Sequence, residues 1–307
     1  MDLNEIQINL LDNIIDGHNI TEGAYNIRSD SKSIGRSSTK DVDIIPKSDG
    51  TGLDIFIKPG VKKASVHIPV IMTQSGLKET VYNDFYVGDG AQADIIAGCG
   101  INNCGCDDSE HDGVHRFFVG KNASITYSEK HYGDGNGVGK RILNPITEVY
   151  MEENSYVEME MIQIKGVDDT KRTTVADLKD GAKLIVRERL MTHGDQNAVS
   201  VYTVNLNGKG STADIVSRGV ARDNSYQRLD LKIAGNAECK GHTECDSIIM
   251  DNGKILAIPA LEANNTEASL VHEAAIGKIA GEQIIKLMTL GLTEAEAEEQ
   301  IINGFLR

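Results

Sequence analysis

The sequence predicts an all-β core, built as a parallel β-helix with a short helix before it and a helical segment after it. Glycine is abundant (31 of 307 residues), proline is scarce (5) and aromatic residues make up only 5%, a composition typical of many short strands joined by tight turns. Runs of alternating residues follow each turn without helical patterns between them, which indicates coils stacked in a solenoid. The turn signals recur every 27 to 32 residues, at Gly90, Asn122, Asn154, Gly181 and Gly210.

A β-sandwich is the alternative fold, because its strands also alternate between buried and exposed residues. The long interval between turns favours the β-helix, since the hairpins of a sandwich return over shorter distances. The interval is irregular, so the sandwich stays open as an alternative at this point.

The N-terminal region has a different pattern. Apolar residues between positions 3 and 15 recur at helical spacing, which predicts a short amphipathic helix packed on the body. These residues are Ile6, Leu10, Leu11, Ile14 and Ile15. Residues 27–50 are rich in serine, aspartate and lysine with little periodicity, a pattern typical of loop or weak strand. We therefore expect a helix and an irregular segment over 1–50, and the β-helix core over 51–263.

The last part of the chain, residues 264–307, is predicted to be helical. The stretch 267–307 carries apolar residues at mixed three-, four- and five-residue spacing, and Thr293 with Glu296 has the pattern of a capping box. Such a segment can cover the open end of a solenoid, whose strand edges would otherwise pair with other chains, or it can dock a partner protein.

Charge and cysteine content exclude several classes of function. The net charge is −15, whereas proteins that bind nucleic acid normally present a basic face. No apolar stretch approaches the ~20 residues that a membrane helix needs, and the start of the chain lacks the basic region of a secretory signal. The five cysteines are unevenly spaced, which indicates reduced thiols rather than a disulfide framework. We therefore expect a cytoplasmic protein without nucleic acid or membrane as a primary partner.

A first group of candidate ligands offers three thiols and two imidazoles in a short stretch. Its members are Cys99, Cys104, Cys106, His111 and His115. Such a set could bind zinc or an iron–sulfur cluster, although its spacing matches no standard zinc ribbon. The alternative is a glycine-rich surface loop with incidental cysteines.

A second group, Glu129 and His131, lies on a predicted strand. Alternation points the two side chains to the same face. If that face is inward, they line an internal polar path through the β-helix, whereas the commoner arrangement is outward and solvated.

A third group lies in two neighbouring segments near the end of the chain. Cys245 offers a thiol, and His272 and Glu273 offer an imidazole and a carboxylate. Thiolate is a soft ligand that suits iron–sulfur species, copper(I) and zinc. Cys239 and His242 belong to the same group, but the spacing from Cys239 to Cys245 is too loose to form a motif alone. In the alternative interpretation, Cys245 is an inert buried residue and Glu273 is favoured by the dipole of a helix that begins there.

Standard catalytic motifs are missing from the sequence. It contains no phosphate-binding G-x-x-x-x-G-K-[ST] loop, no G-x-S-x-G elbow and no H-E-x-x-H metal helix. We therefore expect that this chain binds no nucleotide.

The end of the chain resembles a known family. The stretch from Gly241 to Phe305 resembles the C-terminal core of the SufB/SufD family of iron–sulfur scaffolds, and a weaker resemblance extends back to about residue 85. The chain is shorter than the usual SufB and is similar to the small SufB-like proteins of anaerobic prokaryotes. The matching pieces are Cys245-Asp246-Ser247, Ile258-Pro259, His272-Glu273-Ala274, Gly281-Glu282-Gln283, Leu290-Gly291-Leu292-Thr293 and Ile301-Ile302-Asn303-Gly304-Phe305.

This resemblance implies a right-handed parallel β-helix flanked by helices. It implies a non-catalytic scaffold on which a transient iron–sulfur cluster is built, in complex with an ABC-type ATPase of the SufC kind that docks on segment 267–307. It also implies a homodimer joined through the end of the β-helix, with the cluster site at the interface. Sulfur donors, iron donors and recipient apoproteins are the further partners that the resemblance implies.

The resemblance also implies roles for single residues. By position, Cys245 matches the SufB cysteine and Glu273 the SufB glutamate implicated in cluster assembly, and His272 matches the histidine that SufD contributes. In a homodimer, each subunit would supply all three. The inner polar residues of the family fall near 129–132, while the group from Cys99 to His115 receives no role.

Two other functions stay open. One is a zinc-dependent enzyme on a β-helix that uses the group from Cys99 to His115. The other is a structural adaptor whose only task is to bind the ATPase.

Overall fold

The protein is a β-helix of two facing sheets with one helix near its start and two at its end. The computed structural model describes residues 3–15 and 20–307, without the side chain of Thr21. The elements in chain order are α1 (Glu5–Ile15), a 3-10 turn (Ile20–Glu22), β1 (Ala24–Ser29), β2 (Lys32–Ser37), β3 (Val42–Pro46), β4 (Gly52–Ile57), β5 (Ala64–Met72), β6 (Lys78–Val87), β7 (Gln92–Asn102), β8 (Ser109–Val119), β9 (Ser124–Asp134), β10 (Arg141–Leu143), β11 (Ile146–Met151), β12 (Tyr156–Lys165), β13 (Asp169–Leu178), β14 (Lys183–Thr192), β15 (Asn197–Leu206), β16 (Thr212–Ala221), β17 (Tyr226–Gly235), β18 (Cys239–Ile249), β19 (Lys254–Ala263), β20 (Ala268–Gly277), α2 (Gly281–Met288) and α3 (Glu294–Phe305).

Consecutive strands of the core alternate between the two sheets. The first sheet has the order β2-β1-β5-β7-β9-β12-β14-β16-β18-β20, and the second has the order β19-β17-β15-β13-β10-β8-β6-β4-β3, with β11 also between β13 and β8. Outside the antiparallel pairs β1–β2 and β3–β4, neighbouring strands run parallel. About eight coils stack in the described part of the chain. This arrangement confirms the predicted parallel β-helix and excludes the sandwich, whose sheets are antiparallel.

Residues with positive φ mark the corners between strands. Asn122 and Asn154 have φ angles of 56° and 57°, and Gly90, Gly181 and Gly210 have φ angles of 66°, 66° and 73°. These are the five positions at which the sequence predicted turns. Glycine and asparagine adopt this left-handed region more readily than most residues, which explains why these two types recur at the corners.

Alternate residues of each strand fill the space between the sheets. In β15, every second residue is buried and the intervening ones are half-buried. In-register pairing then stacks inward residues of successive coils in rows. One such row is Ile95, Tyr127, Met159, Val186 and Ile215, all with 0–1% exposure. Burying one such side chain contributes roughly 1.5–3 kcal/mol, so these rows are a main source of stability.

Helix α1 packs on the first sheet, as the sequence predicted. Gly98 and Gly100 on β7 permit its close approach, because a Cβ at Gly98 would lie 3.0 Å from Ile14 Cβ, and one at Gly100 would lie 3.2 Å from Leu10 Cβ. The segment 27–50, predicted to be loop or weak strand, contains β2, β3 and the second half of β1. The apolar cluster at α1 is formed by Leu10, Leu11, Ile14, Ile15, Ile20, Ile27, Ile71 and Tyr132.

The structure corrects the prediction of helix over the start of 267–307. Ala268–Gly277 forms strand β20, which pairs in parallel with β18. Its two-residue period, with Leu270 and His272 on the inward side, was concealed by apolar residues on both faces, such as Val271. Two helices follow, and Thr293 and Glu296 form the predicted capping box at the start of α3. Among the residues described, no helix is long and apolar enough to cross a membrane.

Helix α3 packs beside the first sheet rather than over the last coil. Ile302 and Leu306 are buried against Val220 of β16, and the guanidinium of Arg218 lies 5.9 Å from the ring centre of Phe305. The last coil, formed by β19 and β20, is therefore open on its outer side. Its exposed apolar residues are Leu256, Ile258, Leu261, Val271 and Ile276.

Candidate functional site

Cys245 lies on β18 with its side chain in the interior of the β-helix. It is 2% exposed, and its register neighbours are Ser217 on β16 and Ala274 on β20. Burial, followed by the negative charge of Glu188, raises the pKa of this thiol to about 12. Cys245 is therefore a neutral thiol in this conformation, and it must lose its proton before it can bind a metal.

His272 lies one coil further, on β20, with its side chain on the inward phase of the strand. Its register neighbour is Thr243, and Thr243 Oγ1 lies 2.7 Å from His272 Nδ1. Burial, followed by the proximity of His242, lowers the pKa of His272. The imidazole is thus neutral near pH 7 and has a nitrogen that is able to accept a metal.

Glu273 lies on the opposite face of the same strand. Adjacent strand residues point to opposite sides of a sheet, so Glu273 is on the outer surface, with its side chain 66% exposed. Its register neighbour is Glu244. Within one subunit the structure therefore brings Cys245 and His272 to the inward side of neighbouring strands and leaves Glu273 outside.

The outer surface around Glu273 contains a group of possible ligands that is only partly predictable from the sequence. One ligand atom each from His242, Glu244 and Glu273 lies within 4.8 Å of the others, and among the described residues this is the one such set of three or more His, Cys, Asp or Glu side chains. The sequence predicts His242 as a candidate ligand beside Cys245 but does not distinguish Glu244. The signal that could have found it is the two-residue spacing from His242, which puts both on one face of a strand.

Glu129 and His131 both point into the interior, each no more than 4% exposed. Glu129 forms an ion pair with Arg172 of β13. Burial alone would raise the pKa of Glu129. The opposing effect of Arg172 and His131 is larger, so the pKa is well below its usual value. Glu129 is therefore a buried carboxylate whose charge is balanced by a buried guanidinium.

A chain of polar contacts extends from Glu129 in both directions. On one side, Tyr127 donates to Glu129 Oε1 at 3.0 Å, and the Tyr127 hydroxyl lies 2.7 Å from His115 Nδ1. Burial lowers the pKa of His115 to about 4, so this ring is neutral. On the other side, Arg172 Nε lies 3.9 Å from Glu188 Oε1.

Glu188 connects this chain to the neighbourhood of Cys245. It accepts hydrogen bonds from Ser200 at 2.6 Å, Tyr202 at 2.9 Å and Ser217 at 2.6 Å. Ser217 is the register neighbour of Cys245. Arg172 and Glu188 were not predicted as site residues, although both lie at buried positions of strands that alternate regularly.

The predicted group from Cys99 to His115 is divided by the fold. Cys99, His111 and His115 point into the interior and line a small cavity together with Glu129 and His131. The remaining two cysteines, in the loop after β7, are exposed. The structure therefore does not bring the five side chains together in one place.

Comparison with known proteins identifies the family. The sequence model of the domain described as "SUF system FeS cluster assembly, SufBD core domain" matches residues 74–305. An iron–sulfur cluster assembly SufBD family protein of Methanothermobacter thermautotrophicus is 29% identical over 83% of this chain and 62% of that protein. Proteins with the same description from Methanocaldococcus jannaschii and Archaeoglobus fulgidus are 28% and 31% identical, over 82% and 84% of this chain and 79% and 69% of theirs.

The matched length differs among these relatives. The chain spans 62% of the first Methanothermobacter protein and 55% of a second one, from strain Winter, to which it is 30% identical. The family match nevertheless covers the whole region from β6 to α3, including every candidate ligand named above. The chain belongs to the SufBD family of iron–sulfur cluster assembly proteins.

Proposed function

We propose that this protein is a SufB-like homodimeric scaffold that builds a nascent iron–sulfur cluster at its dimer interface, together with an ABC-type ATPase of the SufC kind. The observation that carries the proposal is the open last coil. Cys245 lies on β18, and His272 and Glu273 lie on β20, the last two strands of the first sheet, next to an exposed apolar edge. A site that needs all three is incomplete in one subunit, because Glu273 is on the opposite face from the other two.

The edge of the last coil has the properties of an interface between two copies. Strands β19 and β20 end their sheets, so within the described part of the chain one side of each has backbone groups without a strand partner. Such edges pair readily with another chain. Apolar residues are exposed there, including Leu256, Ile258 and Val271. A second copy placed on this edge covers the apolar side chains and brings its own Cys245 and Glu273 to the same region.

The three proposed ligands differ in chemical type, and each type suits a different part of holding a transient cluster. Cys245 as thiolate supplies the soft ligand that iron–sulfur species prefer. Glu273 supplies a hard oxygen, which releases the product more readily than a further thiolate, and His272 supplies a neutral nitrogen or positions the others. Because the pKa of Cys245 is about 12 in this conformation, deprotonation needs a conformational opening or the approach of iron itself. We assign the opening to the ATPase, since this chain has no nucleotide-binding motif.

In this proposal the chain of buried polar contacts serves as an internal path to the cluster site. It extends from the cavity at Cys99, past Glu129 and His131, to Ser217 beside Cys245 through hydrogen bonds and ion pairs. The charge of Glu188 at the end of this chain raises the pKa of Cys245. Glu188 is thus the group of this path that acts on the protonation of the thiol. Free cysteines at all five positions support work in the reducing cytoplasm.

Anaerobic reconstitution with iron and sulfide tests the central proposal. We expect the natural protein to develop the visible absorption of an iron–sulfur cluster, and Cys245→Ser to lose most of it. Cys239→Ser is the matched control, because Cys239 is also buried on β18 and its pKa is also raised by burial. A normal cluster on Cys245→Ser would refute the role of Cys245.

The same samples separate the alternative functions. A structural adaptor binds the ATPase but forms no cluster with the natural sequence. A zinc enzyme contains zinc without iron or sulfide when purified without oxygen, and Cys99→Ser rather than Cys245→Ser removes its metal.

A further inference from the structure

A second set of ligands lies on the outer face of the first sheet, on the side of β18 opposite to the Cys245 thiol. His242 and Glu244 come from β18, and Glu273 comes from β20. Two-residue spacing puts His242 and Glu244 on one face, and Glu244 and Glu273 are direct register neighbours. The backbone therefore fixes all three in one patch, where one ligand atom of each lies within 4.8 Å of the others.

The ring of His242 is held in an orientation that suits a metal ligand. Its Nδ1 lies 2.8 Å from Asp214 Oδ1, and Asp214 in turn accepts from Arg187 Nη2 at 2.6 Å. With the Nδ1 proton donated to Asp214, the other nitrogen, Nε2, carries the free lone pair. That nitrogen lies 3.9 Å from Glu273 Oε2. A carboxylate that orients a histidine in this way is a common second partner of metal-binding histidines.

The charges of the patch favour a cation. Two carboxylates directly opposite each other on neighbouring strands repel, and among the described residues neither Glu244 nor Glu273 has a lysine or arginine nitrogen within salt-bridge distance. Asp246, two residues from Glu244 on the same face of β18, adds a third carboxylate beside it. The guanidinium of Arg218 is also near Glu244, but it donates to the backbone oxygens of Phe305 and Arg307 at 3.2 Å. A bound cation would remove the repulsion that this arrangement leaves.

We propose that His242, Glu244 and Glu273 form a mononuclear site for a divalent first-row cation, with Asp214 as its positioning residue. One imidazole nitrogen and two carboxylate oxygens leave open positions for water, a combination that suits Fe²⁺, Mn²⁺ and Zn²⁺. Glu273 is largely exposed, so its side chain is able to move the last fraction of an ångström to the metal. The identity of the cation as ferrous iron awaiting assembly rests on the proposed function; the site itself does not.

The geometry separates this site from the thiol. Glu244 precedes Cys245 directly, yet the two side chains lie on opposite faces of β18, one half-buried and one buried. Iron is therefore held outside the solenoid before any thiolate is available. Glu273 is shared by both steps, whereas His242 and Glu244 serve only the first.

Anaerobic equilibrium dialysis with Fe²⁺, and Co²⁺ titration followed by its visible spectrum, test the site on the full chain. We expect one ion per chain, retained in Cys245→Ser. His242→Ala and Glu244→Gln should weaken binding at least tenfold, and Asp214→Asn by about 10- to 100-fold with a changed Co²⁺ spectrum. Glu160→Gln is the matched control, because Glu160 lies on the same outer row of the sheet and pairs with Arg189. Circular dichroism checks that each variant is folded.

The outcomes distinguish this inference from the proposed function. Binding that is equally strong in His242→Ala, or no binding by the natural protein, overturns the cation site even if a cluster still forms on Cys245. Binding that depends on His242 and Glu244 supports the site, and if the same protein then forms no cluster, the scaffold proposal fails while the cation site stands.

Discussion

Glu129 and Arg172 form an ion pair inside the solenoid, where both side chains are 4% exposed. Removing two charges from water is costly, so a buried pair often adds little stability over apolar residues of the same size. Breaking such a pair is different, because it leaves one charge buried without a partner. The pair therefore maintains polar groups in a core that apolar residues could otherwise fill. Both partners are needed, because either charge alone would be buried without compensation.

Replacing Arg172 with methionine should destabilise the protein by about 3–5 kcal/mol. The pKa of Glu129 in the folded natural protein is well below the usual 4.5 of a glutamate. Its stabilising contribution is therefore present above pH 4.5 and is lost as the pH falls through the folded pKa. In Arg172→Met the effect of burial is no longer offset by the guanidinium, and the pKa of Glu129 should rise. The buried carboxylate then costs stability at neutral pH, and protonation relieves that cost.

The difference in unfolding free energy between Arg172→Met and the natural protein should therefore shrink as the pH falls from about 7 to about 4. Urea unfolding at several pH values measures it. The double variant Glu129→Gln/Arg172→Met is the control and should recover part of the loss. A difference that is constant over this pH range would contradict the assignment of the buried charge to Glu129.

His272 and Glu273 illustrate what a sequence can reveal about single residues. Their types and neighbourhood predicted a ligand set with Cys245, but not that they point to opposite faces. That depends on whether the segment is strand or helix, and both phases of β20 carry apolar residues, so its alternation is hidden. The charged interior residues Arg172 and Glu188 were not predictable for a related reason, since their burial depends on partners from other coils.

At the scale of elements, local rules were the most informative. The corner positions at Asn122 and Asn154 were predictable because few residue types adopt a left-handed backbone without strain. The capping box of α3 was predictable because its contacts join residues three apart. Strand β20 was not, because it is stabilised by pairing with β18, a contact between segments that are distant in sequence. Its apolar residues at mixed spacing gave no local signal that favoured strand over helix.

Helix α2 has an apolar surface that no other part of the described subunit covers. None of its residues is buried, and Ile285, Met288 and the following Leu290 are 62%, 42% and 76% exposed. Exposed apolar groups of this kind mark sites for protein partners. This surface is the part of segment 267–307 to which we assign the ATPase.

Ile285→Asp and Leu290→Asp should therefore abolish binding of a SufC-type ATPase without unfolding the scaffold. The physical reason is that a charge placed in an apolar contact is desolvated without a partner. Pull-down and calorimetry with the purified ATPase measure binding, and thermal unfolding should change little because both residues are exposed. Val138→Asp is the matched control, since Val138 is an exposed apolar residue in a distant loop. Undiminished binding of the two α2 variants would move the ATPase site elsewhere.

At the scale of the whole molecule, the two ends of the β-helix differ in how their edge strands are arranged. The beginning ends in antiparallel strand pairs, β1–β2 and β3–β4, whereas the end has two parallel edge strands with apolar residues exposed. Edge strands are usually protected in monomers by charges, proline or a covering element. The end of this solenoid has a proline on β19, but α3 packs to the side of it.

The open end should therefore join two copies, and charges on its edge should separate them. We expect the natural protein to have the mass of a dimer by light scattering, and Ile258→Lys with Val271→Lys to have the mass of a folded monomer that no longer assembles a cluster. The two residues are 41% and 47% exposed in one subunit, so lysine at these positions does not disturb the subunit but opposes edge-to-edge pairing. Ile146→Lys, on a strand in the middle of the second sheet and 37% exposed, is the control and should leave the dimer intact. A natural protein that is monomeric at the concentrations used for reconstitution, or a double lysine variant that still dimerises, would show that the last coil is not the interface.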